Sequence, residues 1–185
     1  MAEFKLSTLK ILSALEHQEL LAANVHQAIR RLPQATQIGV SKIDPTLSDT
    51  AAFCDKYGVG MDRAANCVVL EAKRGDRSWL AACVILGMTR ADVNGVARRI
   101  LDARKVSFAP MDTAVTQTAM EYGAITPIGL PADWPILIDG RVVDTDYVII
   151  GSGIRKSKII IPGKLLASLP NAQVLEGLGQ VKETS

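Results

Sequence analysis

The sequence predicts an α+β domain built on a mixed, largely antiparallel sheet, β-barrel-like and flanked by helices. Three observations carry that expectation. Helical and strand-like runs follow one another in no regular alternation, unlike a repeated strand–helix–strand unit. Two β-rich runs, 65–73 and 78–87, flank the polar stretch Lys73-Arg74-Gly75-Asp76-Arg77, which has the chemistry of a hairpin loop. Beyond residue 135, further β-rich runs are separated by turn residues such as Asp139-Gly140. With 185 residues, 48% of them hydrophobic, one domain can bury a core without a disulfide or metal staple.

The elements follow in order. Leu9, Ile11, Leu12, Leu15, Leu20, Leu21, Val25 and Ile29 recur at helical spacing, which predicts one or two helices over 7–31 that end before Pro33. Residues 37–43 read as a strand. Asp44-Pro45-Thr46 supplies a turn and a candidate cap, and the helix expected over 47–57 can be closed by Gly58 at positive φ. Thr89, followed three residues later by Asp92, resembles a capping arrangement for a helix over 91–101. Residues 105–108 form a short strand, and Asp112 is placed to cap a helix running to about Glu121, after which Gly123 turns the chain. Pro127, Gly129, Pro131 and Pro135 punctuate a loop; strands are expected at 136–138, 147–152 and 157–161, a short helix at 164–169 and a last strand at 173–175. From Gly179 the chain reads as a solvated tail.

Composition excludes several classes. The longest apolar run, near residues 79–88, falls far short of the roughly 20 residues of a membrane span. Glu16 and Glu19 follow the first apolar stretch and no small-residue cleavage site appears, so a signal peptide is not expected and a cytoplasmic location is. Cys54, Cys67 and Cys83 are odd in number and lack C-x-x-C spacing, as buried apolar residues would. His17 and His26 stand nine positions apart, too far for a metal pair on one helical turn, and no metal or cofactor is expected. Gly151-Ser152-Gly153 lacks the third glycine of a dinucleotide loop, and G-x-S-x-G is absent. A catalyst without a nucleophile–base–acid set works by positioning and electrostatics.

The informative stretch runs from Lys105-Val-Ser-Phe-Ala-Pro110 through a helix into Gly123-Ala-Ile-Thr-Pro127-Ile-Gly129, then Pro135-Ile-Leu-Ile-Asp139 and a later turn, Gly153-Ile154-Arg155. This series resembles the YbaK/prolyl-tRNA synthetase editing-domain family, in which a G-x-x-x-P loop precedes a strand ending near Asp and a Gly-rich basic turn follows. The likeness covers about residues 21–177, leaving an N-terminal helical extension over 1–20 and a tail over 178–185. It implies a freestanding hydrolase that cleaves the ester joining a wrong amino acid to transfer RNA, with the tRNA for proline as the first candidate. Aminoacyl-tRNA is the implied partner through its acceptor end, with association to an aminoacyl-tRNA synthetase as a further expectation.

An aminoacyl ester is already activated, so the implied chemistry needs a placed water and oxyanion donors. The loop holding Gly123, Thr126 and Pro127 is the implied catalytic loop, its backbone N–H groups being the expected donors. The family usually carries a lysine where this chain has Asn66. Strand alternation sets Asn66 on the face of Val68 and Leu70, opposite Cys67, Val69 and Glu71. There it is either a structural residue bonded to a neighbouring loop or a donor to the aminoacyl carbonyl. Gly151, Ser152, Gly153, Arg155 and Lys158 are the implied substrate-binding residues. Lys158 stands where many members carry an acid, so a positive charge lost at Asn66 is regained there if its head group turns inward; the ordinary expectation for a strand lysine is outward.

Residues 90–105 hold five cations against two carboxylates, and residues 141–164 repeat that balance. Arg98, Arg99 and Lys156 are accordingly the expected contacts to tRNA backbone. With 3 Phe, 3 Tyr and 2 Trp, an extended base-stacking platform is not expected. A rival reading from another class is a non-catalytic module holding an aminoacyl-adenosine, a tRNA end or another small ligand on the same fold.

Overall fold

The computed structural model describes residues 8–181. In chain order its elements are β1 (Leu12–Ser13), α1 (Ala23–Ile29), β2 (Gly39–Lys42), α2 (Thr50–Tyr57), β3 (Ala65–Arg74), β4 (Arg77–Leu86), β5 (Thr89–Ala91), α3 (Arg98–Ile100), β6 (Lys105–Phe108), α4 (Met111–Thr118), β7 (Ile136–Asp139), α5 (Gly140–Val143), β8 (Val148–Gly151), β9 (Ser157–Ile161), α6 (Gly163–Leu166), β10 (Ala172–Leu175) and β11 (Gly179–Val181).

The α+β class holds, with antiparallel pairing dominant, but no closed barrel forms among the described residues. The strands build a four-stranded sheet, β1-β2-β9-β8, a five-stranded sheet, β10-β7-β4-β3-β6, and the pair β11-β5. One isolated parallel bridge, Ala64 to Ile149, links the first two. Closure fails because the two large sheets bury their apolar faces against each other. Val40, Ile150, Ile159 and Ile161 of one sheet meet Ala82, Val84, Ile136 and Ile138 of the other, with Val25 and Ile29 of α1 in the same cluster.

The predicted hairpin is present, β3 pairing with β4 from Ala65–Leu86 to Arg74–Arg77. Alternation splits its side chains as expected: Leu70, Ala81 and Cys83 pack under Ala97 and Leu101, whereas Ala65, Ala82 and Val84 join the inter-sheet core. Helix α2 starts one turn later than predicted. Asp44 caps a 3-10 turn instead, and Asp49 caps α2, its side chain accepting from the amides of Ala51 and Ala52. Gly58 ends α2 at φ 67°, as expected.

Further expectations need correction, among them the helix begun by Asp112: α4 has Pro110 at its N-cap with Asp112 inside its first turn, and it ends at Thr118, where Ala119 takes the left-handed conformation. Helix occupies Ala23–Ile29 but not the whole of 7–31, because Leu12–Ser13 find a better partner in β2 and become a strand. The first seven residues of the expected helical extension lie outside the described residues. Thr89 is in strand β5, and Asp92 alone starts the next helical segment, bonding the amides of Gly95 and Val96. Asp139-Gly140 is the capped start of α5 rather than a turn. Residues 179–181 of the expected tail pair with β5, while 182–185 lie outside the described residues.

That last strand is held by a buried carboxylate. Asp139, 1% exposed, accepts from the Gly179 amide at 2.6 Å and from Arg141 Nε at 2.9 Å, and Arg141 also donates to the Gly179 carbonyl. Truncating Asp139 leaves the buried Gly179 amide without its acceptor and the Arg141 guanidinium with the Gly179 carbonyl alone. Asp139→Ala is therefore expected to cost roughly 3 kcal/mol in urea unfolding, and to speed amide hydrogen exchange first in β11 and β5.

Candidate active site

The site grows from one row of residues across the four-stranded sheet. Register places Ser41 of β2 opposite Lys158 of β9, and Lys158 opposite Gly151 of β8. The isolated parallel bridge from Ala64 to Ile149 joins the start of β3 to β8, and Asn66 follows two residues on, toward the Gly151 end of the row. Helix α2 packs over this row through Phe53 and Cys54, which cluster with Ile43, Ile149 and Ile160.

Lys158 points inward. It is 6% exposed, its Nζ donates to the Ser48 carbonyl at 2.8 Å, and the ammonium lies 5.5 Å from the centre of the Phe53 ring. The outward reading is thus overturned: α2 covers this position, and Ser48 offers a carbonyl where an unpaired charge would otherwise be prohibitive. Burial pulls the ammonium pKa from its ordinary 10.5 down to about 8, opposed by Asp49 and Cys54 and reinforced by Arg155. Asn66 is held from the other side of the same helix start, its Oδ1 accepting from the Thr50 hydroxyl. That leaves its amide nitrogen as a donor.

The loop expected to be catalytic closes over the row. A Cβ on Gly151 would stand 2.3 Å from the Ala124 carbonyl oxygen and 2.6 Å from that of Ile125, so only glycine lets the loop lie on β8. Gly123, at φ +83°, leads the loop past Ser48, with its Cβ direction 3.5 Å from the Ser48 hydroxyl. Arg155 staples the rim. Its guanidinium donates to the carbonyls of Tyr122 (3.2 Å) and Pro45 (3.1 Å), and its backbone amide donates to Glu121 Oε2 at 2.6 Å.

Not every expected donor is available. The Ala124 amide bonds the Glu121 carbonyl and the Thr126 amide meets Met120 Sδ at 3.4 Å. Pro127 is buried and has no amide hydrogen to give. By contrast, the hydroxyls of Ser41, Ser48 and Thr126 are buried without a partner among the described residues. Such groups are costly when empty and are satisfied when a polar ligand arrives.

The remaining expected residues fall elsewhere. Ser152 turns to the opposite side of β8, where its hydroxyl meets Ser157 Oγ at 2.8 Å, and Ser157 bonds the Leu20 carbonyl. Gly153 is pressed against Ala22, 2.5 Å from where its Cβ would stand. Both support the sheet rather than line the row. Lys156 is exposed one residue beyond Arg155, and Arg98 and Arg99 are exposed on α3, which packs on the five-stranded sheet. Sequence reasoning missed Ser41, Ser48 and Thr50; the only signal was polar residues beside the strand 37–43 and before α2.

The description of the aminoacyl-tRNA editing domain matches residues 44–169, about two thirds of the chain, and takes in Ser48, Asn66, the 123–127 loop and Lys158. The chain belongs to the aminoacyl-tRNA editing domain family. No curated protein matches it. Among solved structures, this editing domain is similar to a proposed trans-editing enzyme for prolyl-tRNA synthetase, at 18% identity and TM-score 0.72, covering 86% of this chain and 96% of that one. It is similar also to hypothetical protein APE2540, at 18% identity and TM-score 0.73, covering 85% and 99%. A proposed signal transduction protein from Marinobacter aquaeolei VT8 shares the fold over 84% of this chain and 30% of its own, at 15% identity and TM-score 0.54. No described helix of the editing domain is long and apolar enough to cross a membrane.

The buried lysine leaves a thermodynamic signature. Below pH 8 Lys158 is protonated in both folded and unfolded chains, and between 8 and 10.5 the unfolded chain binds more protons, so stability gains with rising pH. Lys158→Met is expected to remove a slope of at most about 1.4 kcal/mol per pH unit in that window, measured as the difference between urea unfolding curves of the two proteins.

Proposed function

We propose that this editing domain hydrolyses the ester of mischarged aminoacyl-tRNA, with tRNA for proline as the first candidate. The reading rests on one observation: the buried ammonium of Lys158 shares a row with Ser41 and Gly151, with Asn66 toward the Gly151 end, beneath a loop that holds Gly123 against Ser48. The likeness to a proposed trans-editing enzyme for prolyl-tRNA synthetase supports the choice of tRNA.

In this mechanism water attacks the ester carbonyl carbon and the carbonyl oxygen becomes an oxyanion. Asn66 Nδ2 and the Lys158 ammonium stabilise that charge, where fixed donors in a dry site act most strongly. The bond from carbonyl carbon to ribose oxygen then breaks. One proton of the attacking water passes to the ribose oxygen, the other is released to solvent, and the amino acid leaves as a carboxylate. Thr50 and Ser48 act through others, by orienting Asn66 and Lys158. Lys158 thus supplies from β9 the charge that the family resemblance places at Asn66.

The experiment is release of free amino acid from a panel of mischarged tRNAs, tRNA for proline included, without added metal. Lys158→Ala and Asn66→Ala are each expected to lower kcat/KM by at least about tenfold, or roughly 1.4 kcal/mol of transition-state stabilisation. The parent's kcat/KM falls as pH rises through about 8, because the ammonium is the working form; Lys158→Arg, which does not titrate there, flattens that limb. No turnover above the spontaneous rate on any tRNA removes the assignment. Binding of a non-hydrolysable aminoacyl-adenosine without ester cleavage selects a binding module instead, and a gain of activity in Asn66→Lys indicates a degenerate family site.

A further inference from the structure

The charge of this molecule is concentrated at the far end of its five-stranded sheet. Lys73 lies directly opposite Lys105 across β3 and β6, and one residue on Arg74 lies opposite Arg77 at the hairpin. Like charges directly opposite on a sheet are destabilising, and here two such pairs are adjacent. Arg104 joins them, its amide donating to the Lys73 carbonyl at 2.9 Å. The end of α3 also reaches this corner: the Ala103 amide donates to the Arg98 carbonyl, and Arg74 pairs with Asp102.

Seven exposed cations therefore gather around this end of the sheet, Lys73 and Lys105 on one face, Arg74 and Arg77 with Arg98 and Arg99 on the face that carries α3, and Arg104 at the edge between them. Glu71, Asp76 and Asp102 are the nearby carboxylates, leaving a surplus of four positive charges. The whole chain carries +2, so the rest of the molecule is net negative by two. Lys73 is paired with Glu71 at 3.1 Å, but among the described residues Arg98, Arg99, Arg104 and Lys105 make no ion pair. β6 is an edge strand, and a lysine there discourages edge-to-edge pairing. That accounts for Lys105, and Glu71, Asp102 and Trp79 engage Lys73, Arg74 and Arg77, which leaves Arg98, Arg99 and Arg104 with no ion pair among the described residues.

We propose that this corner is the docking surface for the phosphate backbone of the acceptor arm of the substrate tRNA. The inference rests on the reading of the substrate as aminoacyl-tRNA and adds where the rest of that molecule lies. Arg74 stands eight residues along β3 from Asn66, about 26 Å at the rise of an extended strand. The terminal nucleotide cannot span that distance, whereas the backbone of the adjoining duplex can. Contacts at this corner go to phosphates rather than bases: Trp79 is half-buried and 5.8 Å from the Arg77 guanidinium, and the exposed Phe108 at the other end of β6 is a single ring, so no extended stacking platform is presented. The surface therefore sets affinity and orientation, not the choice of base.

The test is a triple variant, Lys73→Gln, Arg77→Gln and Lys105→Gln, beside Lys164→Gln as an exposed control on α6. Removing opposed like charges is expected to leave the melting temperature unchanged or raised. On aminoacyl-tRNA, kcat/KM falls at least about tenfold, and the salt dependence of binding to uncharged tRNA loses roughly 3 units of log–log slope. Hydrolysis of aminoacyl-adenosine, which cannot reach the corner, stays at the parent's rate, as does the control on both substrates. A triple variant matching the parent on tRNA, or losing equally on aminoacyl-adenosine, overturns the proposal. So does loss of binding to phosphatidylserine vesicles with tRNA binding intact. If the parent cleaves neither substrate, the deacylase reading falls, and the salt-dependent binding of uncharged tRNA still decides this surface.

Discussion

A lysine ammonium enclosed between a sheet and a helix must find an oxygen, and much of the site follows from how Lys158 does so. Its acceptor is the Ser48 carbonyl, on the segment that leads into α2. Through that bond the entry to α2 is tied to the centre of β9, and Asp49, which caps the helix, is drawn close enough to act on the lysine's charge. Thr50, one residue into the helix, then reaches Asn66. One short stretch of chain thus positions both polar groups.

The loop above them is constrained from two directions. From below, the absence of a side chain at Gly151 lets the carbonyls of Ala124 and Ile125 settle on β8. From outside, Arg155 draws the Tyr122 and Pro45 carbonyls together, so the loop and the approach to α2 share one rim. A guanidinium used in this way spends its planar fork on backbone carbonyls, which gives it a positioning role even though its charge faces the site. Ser152 and Ser157 perform the matching task on the opposite face, where their hydroxyls join β8 and β9 to Leu20 and keep the N-terminal segment against the sheet.

The molecule is electrostatically two-ended. The enclosed charge at Lys158 is single and largely desolvated, suited to a specific interaction at short range. The hairpin corner carries its surplus in the open, where solvent screens each contact and only the sum matters. The two lie at opposite ends of β3, which spans the distance because its ten residues pair continuously with β4.

What the sequence determined by itself was local. The hairpin around Gly75, the strand 105–108, the helix ended by Gly58 and the turn at Gly123 are legible because alternation, capping and positive φ are properties of a few neighbouring residues. The side of β3 on which Asn66 lies was legible for the same reason. Tertiary structure decided the rest. Helical spacing over 7–31 gave way at Leu12–Ser13 because an unpaired edge of β2 was available, and Gly179–Val181 became a strand because a buried Asp139 held its amide. The inward turn of Lys158 was hidden in the same way, since a lysine in a strand points to water unless a remote segment covers it and supplies an acceptor. Ser48 is 110 residues away in the chain, and no local pattern reports a partner at that separation.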